Sequence, residues 1–390
     1  MKNASRLYDA LLVFVGQCSW SVQRHAYLLV WMVIGLIHEG SVNLTRWIAH
    51  VDTPATQAQS TQRRFARWLH NRRIHPSYLY GPMIQAALSG WSDSILYLSF
   101  DTTMLWDTFC VIRLSVIYRG RAIPVIWRVL EHGSSSVRFI RYQDLLEKAS
   151  RWMPKGIKVV FLADRGFVDH QLLHYLRQQL GWHYRIRVKT NTWVARAGKG
   201  WQQLNTFHLG VGQALMLHHV KVHKRRSIDG VHLALAVENQ AGKLWLVVSS
   251  EPTTLQTLRE YGLRFDIEEN FLDDKSNGFE WENSGLRCPV AVSKLCLVMA
   301  VATLYLTLQG TAVVEAEQRR WVDPHWFRGM SYFKIGWNWV KTAMTRRWTL
   351  FSWQSLTSNH DPDPAKASKS QFERQRYRFE FQVQSWDYAA

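Results

Sequence analysis

The hydrophobic positions of this chain recur with a helical period near both ends and with a strand period between them. Apolar residues at helical spacing predict helices over residues 7–15, 25–38 and 42–50. The same spacing predicts further helices over residues 290–308, 312–321 and 331–348. From residue 92 onward, short runs rich in β-branched and aromatic residues predict strands separated by helices. The pattern is typical of an α/β fold.

Two of the predicted strands lead into an aspartate. The run SILYLSF ends at Asp101, and the buried-type run IKVVFLA ends at Asp164. Open α/β sheets place ligand chemistry at the carboxyl ends of their strands. We therefore expect both aspartates to lie in one site, although each taken alone is also consistent with an ordinary turn or cap residue.

Residues 190–250 interrupt the alternation of strands and helices. They contain several short strand-like runs, and residues 180–230 hold nine Lys and Arg against a single acid. We interpret this segment as a basic β-rich insertion whose positive charge favours contact with phosphates. The alternative is a hairpin whose solvated lysines protect a sheet edge from aggregation.

The segment 255–285 carries four polar side chains at regular places. A helix with about 100° per residue would put Tyr261, Arg264, Glu268 and Lys275 within roughly 60° of one another. The neighbouring face of the same helix is apolar and contains Leu263, Ile267 and Phe271. This stripe suits a metal ion beside a phosphate backbone, whereas a surface helix with its usual charges is the alternative.

A basic helix is predicted ahead of the strands. Arg63, Arg64 and Arg67 fall within one helical turn, and the opposite face carries Phe65, Trp68 and Leu69. Such a helix is typical of helix-turn-helix DNA contacts. A solvated basic face explains the same residues equally well.

The composition narrows the class of partner. The chain has 48 Lys and Arg against 30 Asp and Glu, which gives a net charge of +18. This balance predicts nucleic acid or an anionic membrane surface as partner. The longest uncharged apolar runs, residues 26–37 and 295–308, fall short of the ~20 residues that a spanning helix needs, so no membrane insertion is expected. The four cysteines show no CxxC spacing, which favours a reducing cytoplasm.

Asp101, Asp164 and Glu268 together suit phosphoryl transfer. Two divalent ions about 4 Å apart can clamp the attacking and leaving oxygens of an in-line displacement, and Mg²⁺ takes oxygen ligands while it keeps several waters. Glu269 competes for the third position but lies about 80° off the stripe in a regular helix. The order of two strand aspartates, a basic insertion and a helix glutamate is more specific than any one of its members.

Four motifs resemble one family. YGLRFDIEENFLDDK fits the Y-x2-R-x3-E-x6-K signature of a group of bacterial insertion-sequence transposases with a DDE active site. LADRGF and LSFDTT are similar to the family's second and first aspartate motifs, and KLWLVVSSEP is similar to the segment before its catalytic helix. The resemblance runs loosely over residues 60–350, and the group includes the cut-and-paste transposases of composite transposons.

The resemblance implies a fold and a division into domains. It implies a ribonuclease H-like α/β core with a basic β-rich insertion, an N-terminal all-α DNA-binding domain and C-terminal helices. The expected boundaries are 1–90 for the helical DNA-binding domain, 91–189 for the first part of the core, 190–252 for the insertion, 253–350 for the second part of the core with the C-terminal helices, and 351–390 for a loose tail.

The resemblance also implies roles for individual residues. Asp101, Asp164 and Glu268 would bind two Mg²⁺ ions, with Mn²⁺ able to substitute. Arg264, Lys275 and Tyr261 would hold phosphates at the transposon end. Trp245 would stack on a base flipped out during hairpin formation, and a core tryptophan is the alternative for this residue.

The implied activity is cut-and-paste DNA transposition. The expected partners are double-stranded DNA, as terminal inverted repeats and as target, and a second copy of the chain on paired ends. The expected location is the bacterial cytoplasm, at the nucleoid. Two alternatives remain open: a related metal-dependent nuclease without strand transfer, and an inactive DNA-binding relative.

Overall fold

The computed structural model of the protein describes a mixed α/β chain. Residues 1, 17, 19, 21, 53–54, 197–199, 277, 366–379 and 389–390 lie outside the described part, as do the side chains of residues 2–5. Within the described part, helices surround one large sheet in which most neighbouring strands run antiparallel.

The helices group at the two ends of the chain and between strands. They are α1 (Lys2–Val15), α2 (Gln23–Glu39), α3 (Leu44–Trp47), α4 (Ala58–His70), α5 (Pro76–Leu88), α6 (Gln143–Ser150), α7 (His170–Gln178), α8 (Leu255–Gly262), α9 (Asp266–Lys275), α10 (Pro289–Glu315) and α11 (Tyr332–Arg346).

The strands form a single sheet with the order β3-β2-β1-β4-β5-β10-β9-β8-β6-β7, and β11 pairs with β8. They are β1 (Ile95–Leu105), β2 (Phe109–Tyr118), β3 (Arg121–Glu131), β4 (Lys158–Ala163), β5 (His183–Arg187), β6 (Trp193–Arg196), β7 (Gly200–Gln203), β8 (Gln213–Val222), β9 (Ile228–Val237), β10 (Leu244–Ser249) and β11 (Gln382–Asp387). Strands β1, β4 and β5 are parallel to one another, and β2 joins β3 through the predicted hairpin.

The strands predicted as an insertion extend this sheet instead of forming one of their own. Strand β10 pairs antiparallel with β5, and β9 and β8 follow outward. Because hydrogen bonding continues from β5 into β10, the segment 190–252 is a continuation of the same layer. The expectation of a separate inserted unit is corrected in this respect, while its strand content is confirmed.

Helix α10 lies at the centre of the molecule and differs from its prediction. It runs without a break from Pro289 to Glu315, so the helix predicted over residues 312–321 begins as the last turn of α10. Its length and composition would suit a membrane span, yet 89% of its most apolar window is buried inside the protein. A helix that is apolar on all sides and enclosed by protein is a core helix.

The N-terminal helices share the main core. Leu29, Trp68 and Ile84 belong to the same buried apolar cluster as the sheet and α10. The predicted boundary at residue 90 therefore does not separate two hydrophobic cores, because α2, α4 and α5 pack against α10 and α1 packs against α11.

The C-terminal segment was expected to be a loose tail, and the structure corrects this. Leu356 is fully buried, and its backbone N–H donates to the carbonyl of Ala87. Asp361 accepts hydrogen bonds from Arg328 and from the hydroxyl of Tyr332, both at 2.6 Å. Further on, β11 pairs with β8. The polar, proline-containing composition of this segment could not predict these contacts, because they join residues far apart in sequence.

Candidate active site

The two aspartates lie on neighbouring strands. Strands β1 and β4 are parallel, and their register pairs Phe100 with Ala163. Asp101 and Asp164 are the next residues, which places them side by side. The prediction that Asp101 ends its strand is wrong, because β1 continues to Leu105, whereas Asp164 directly follows β4. The sequence prediction that one site holds both aspartates agrees with this register.

Glu268, on α9, is connected to Asp101 through the side chain of one arginine. The guanidinium of Arg264 donates from Nη1 to Oδ2 of Asp101 at 3.0 Å and from Nη2 to Oε1 of Glu268 at 2.6 Å. The Arg264 side chain is only 6% exposed, while that of Glu268 is 49% exposed. One cation thus bridges a carboxylate from the sheet and a carboxylate from the helix.

Asp101 has a perturbed acidity. Burial raises the pKa of Asp101 to about 6, against the opposing effects of the Arg264 charge and a hydrogen bond from the Thr102 backbone. The charges of Glu268 and Asp164 push the pKa of Asp101 further upward. Such mutual repulsion in a partly buried site favours a bound cation.

Glu269 lies away from this cluster. Its carboxylate is paired with Arg121 at 3.6 Å, beside Asp273, which pairs with the same arginine at 3.3 Å. The competing assignment of Glu269 to the third position therefore finds no support in the geometry.

Helix α9 is held against the sheet by a buried ion pair that sequence analysis missed. Arg113, on β2, donates from Nη1 to Asp274 at 2.5 Å and to Asn270 at 2.8 Å. On the apolar face of α9, Ile267 and Phe271 pack in one cluster with Ile117 and Ala122, as the stripe predicted. A lone arginine inside the apolar run FCVIRLSVIY was the signal, because a buried charge requires a partner.

A second ionic network supports α8, and it too was not predicted. Arg185, on β5, donates from Nε to Glu260 at 2.8 Å and from Nη2 to Glu251 at 2.7 Å. The hydroxyl of Tyr97 also donates to Glu260, at 3.2 Å. These contacts fix α8, and with it the start of the segment that carries Arg264.

The predicted helical stripe is divided between two elements. Helix α8 ends at Gly262, a 3-10 turn covers Leu263–Phe265, and α9 begins at Asp266. Tyr261 therefore belongs to α8 and Glu268 to α9, and the four polar side chains do not share one straight face. Lys275, at the end of α9, donates from Nζ to the carbonyl of Met104 at 2.8 Å.

Trp245 and Tyr261 are core residues in this structure. Their rings meet edge to face at 5.5 Å, between α8 and the face of β8–β10. Trp245 is 4% exposed and Tyr261 is 1% exposed. The core alternative for Trp245 thus holds here, and neither the indole nor the Tyr261 hydroxyl lies open to a base or a phosphate. Burial raises the pKa of Tyr261 to about 12.

The N-terminal arginines lie on the exposed face of α4. Arg63, Arg64 and Arg67 are exposed, whereas Phe65 and Trp68 are buried. The amphipathic helix predicted for this segment is confirmed. Its contact with DNA stays a prediction.

The donor set at the carboxylates fits a hard divalent cation in its chemistry. Asp101, Asp164 and Glu268 offer only oxygen atoms, which is what Mg²⁺ prefers. No group of three His, Cys, Asp or Glu side chains in the described residues is arranged to hold a metal ion. Arg264 supplies the positive charge between Asp101 and Glu268.

One of the comparisons with known proteins identifies a family. A family model described as a transposase DDE domain matches residues 108–305, just over half of the chain. The chain is similar to the piggyBac transposase in a synaptic complex with hairpin DNA, at 9% identity over 89% of this chain and 79% of that chain, with a TM-score of 0.43. It is also similar to Marinitoga piezophila Argonaute in complex with a 5′-OH guide RNA and target DNA, at 10% identity over 48% of this chain and 30% of that chain, with a TM-score of 0.21. These two scores are too low to bear on function. No curated protein sequence matches the chain.

Proposed function

The chain belongs to the family of proteins with a transposase DDE domain, and we propose that it catalyses cut-and-paste transposition of a bacterial insertion sequence. The observation that supports this proposal is that Asp101 lies beside Asp164 on neighbouring parallel strands and is linked to Glu268 through Arg264. These three carboxylates are the proposed catalytic residues.

A ribonuclease H-like core is part of the proposal. Its support is the order β3-β2-β1-β4-β5, in which three antiparallel strands are followed by two parallel ones. The first aspartate stands on the central strand of this set and the second on its parallel neighbour. Membership in the Tyr-Arg-Glu-Lys signature group is proposed on Tyr261, Arg264, Glu268 and Lys275.

Asp101, Asp164 and Glu268 would hold divalent cations, and we propose Mg²⁺, two ions per site, with Mn²⁺ able to substitute. When bound, Mg²⁺ activates water and neutralises charge developing on the transferring phosphoryl group. The chain's own carboxylates hold their places through the register of β1 with β4 and through the anchoring of α9.

The proposed reaction has four displacements at phosphorus. Water nicks one strand at the transposon end, and the freed 3′-OH attacks the opposite strand to form a hairpin. A second water opens the hairpin, and the 3′-OH then attacks target DNA. Every displacement is in line at phosphorus, so one set of carboxylates can serve all four.

Arg264 has two proposed positions in this scheme. Without DNA its guanidinium neutralises Asp101 and Glu268. The forked guanidinium matches a phosphate group in the same two-pronged way. We propose that a DNA phosphate draws Arg264 away from the carboxylates, which frees them for metal.

The proposed partners are terminal inverted repeats, target DNA and a second copy of the chain on paired ends, at the nucleoid in the bacterial cytoplasm. The net charge of +18 supports a polyanionic partner. The exposed arginines of α4 are proposed to contribute to end binding.

A matched pair of substitutions tests the active-site assignment. Glu268→Gln should lower the rate of cleavage by more than about 100-fold, since even outer partners of a metal ligand cost 10–100-fold when removed. Glu269→Gln, one residue along the same helix, should leave the rate near that of the wild type. The measurement is cleavage of terminal-repeat DNA with Mg²⁺ on a denaturing gel, alongside a binding assay in which both variants keep end binding.

The same assay separates the proposed function from its two alternatives. Hairpin-ended products and joining of pre-cut ends to target DNA support a transposase. Cleavage without joining indicates a nuclease, and binding without cleavage indicates an inactive relative. Cleavage that survives Glu268→Gln contradicts the assignment of the third carboxylate.

A further inference from the structure

A polar cavity that takes no part in the proposed reaction opens next to Asp164. It measures about 850 Å³ and lies between the segment after β4, the segment after β5 and the turn that joins β8 to β9. Its walls include Arg165 and Gly166, which directly follow Asp164. The cavity and the candidate active site are therefore neighbours.

The position of the cavity follows from the sheet. Strands β4 and β5 are parallel, and their register pairs Ala163 with Ile186. Arg165 and Lys189 lie just beyond the carboxyl ends of these two strands. The cavity thus opens at the same edge of the sheet as Asp101 and Asp164.

The cavity is strongly cationic. Five exposed basic residues line it: Arg165, Lys189, Lys224, Arg225 and Arg226. Among the described residues, none of these five is ion-paired with a carboxylate. The one acidic residue in the lining, Asp169, caps α7 through the Gln171 backbone N–H at 2.8 Å. Five basic side chains against one acidic side chain at one opening attract an anion.

Two features indicate that the turn after β8 is built for a ligand. His223 has a left-handed backbone conformation, with φ of 67°, which costs energy in a residue other than glycine. Its Nε2 atom is buried and has no hydrogen-bond partner among the described residues. Lys224 is held beside it, because its ammonium lies over the ring of Trp193 at 5.0 Å.

We propose that this cavity is a groove that binds the phosphodiester backbone of the DNA strand being cut, with Arg165 and Lys189 on one wall and Arg225 and Arg226 on the other. The proposal rests on the proposed function, because it takes the anion to be the DNA that the carboxylates act on.

The test measures DNA binding in EDTA, so that no cleavage contributes. The binding constant of a short duplex is followed between about 50 and 200 mM salt, and each phosphate contact adds about 0.9 to the slope of log K against log salt. Arg225→Ala/Arg226→Ala should lower this slope by about 1.8 and weaken binding about 10- to 100-fold near 100 mM salt. Arg165→Ala/Lys189→Ala, on the opposite wall, should behave in the same way.

Arg320→Ala/Arg346→Ala is the matched control. Both residues are exposed, and each guanidinium lies over a tryptophan ring, Arg320 over Trp326 and Arg346 over Trp348. Arg320 follows α10 and Arg346 ends α11, and neither lines the proposed groove. This variant loses the same net charge but should keep the slope of the wild type. All four groove positions are exposed, so circular dichroism and thermal melts should show folded variants.

The outcomes distinguish the groove from the chemistry. If neither groove variant lowers the slope of log K against log salt more than the control variant does, the proposed groove is wrong, whether or not the protein cleaves DNA. If both groove variants lower the slope but the wild-type protein does not cleave terminal-repeat DNA, the groove is supported and the proposed function is wrong.

Discussion

Arg264 is the residue on which the state of the candidate site depends. It bridges Asp101 and Glu268 while almost fully buried, so it takes the place of a counter-ion. Removing one partner of a buried pair leaves an uncompensated charge. The carboxylates are then more strongly repelled from one another and more receptive to a metal ion.

Arg264→Gln should therefore make the protein dependent on divalent cations for stability. Without metal, the free energy of unfolding should fall by about 3 kcal/mol. Added Mg²⁺ should restore part of that loss and stabilise the variant more than the wild type, because only the variant lacks a cation between its carboxylates. The measurement is chemical denaturation with and without Mg²⁺.

Arg121→Gln is the control for this prediction. Arg121 pairs with Glu269 and Asp273 on another side of α9. Its loss should not alter the response to Mg²⁺. An Arg264→Gln variant that gains no more from Mg²⁺ than the wild type does would contradict the role of Arg264 as the stand-in cation.

At the scale of elements, the placement of α9 depends on one buried contact with β2. Arg113 and Asp274 are both almost fully buried, and Phe271 packs over the guanidinium at 4.8 Å. Arg113→Met should cost about 3–5 kcal/mol because it leaves Asp274 unpaired. Arg113→Met/Asp274→Leu should recover much of that cost, since apolar replacements of a buried pair are often tolerated.

Denaturation of the wild type, both single variants and the double variant gives the coupling between the two residues. We expect a large positive coupling for this pair. If the double variant loses as much stability as the two single variants added together, the ion pair does not hold α9 against the sheet.

The C-terminal segment gives a second prediction at this scale. A chain ending at residue 350 lacks Leu356 and leaves the buried Arg328 without Asp361. We expect this truncation to yield little soluble protein. A chain ending at residue 381 lacks only β11, whose side chains are exposed, so it should fold but associate more readily through the uncovered edge of β8.

Soluble yield and light scattering compare the two truncations. Equal behaviour of both chains would mean that residues 351–381 add nothing to stability beyond what residues 382–390 contribute. That result would support the prediction from sequence that this segment is a loose tail.

At the scale of the whole molecule, the net charge of +18 favours a polyanionic partner. We predict that two copies of the 45.6-kDa chain join two terminal-repeat ends. Light scattering coupled to size-exclusion chromatography gives the protein mass of the complex. A complex with one chain per DNA end and no pairing of ends would contradict the prediction.

The sequence by itself determined most of the strands. The runs that form β2 and β4 are almost continuously apolar, and Asp164 follows β4 directly, so local pattern was enough to predict these strands. The apolar face of α9 was equally visible, because Ile267 and Phe271 recur at helical spacing. The basic excess of residues 180–230 is likewise a property of composition.

Only the tertiary structure decided how these parts meet. The pairing of β10 with β5, the partner of Arg113, and the burial of Trp245 under α8 all join residues far apart in the chain. Periodicity describes which face of an element is apolar and says nothing about which surface will cover it. For the same reason, the sequence showed that Arg264 has charged neighbours along the helix but not that its guanidinium lies between Asp101 and Glu268. That position depends on the fold.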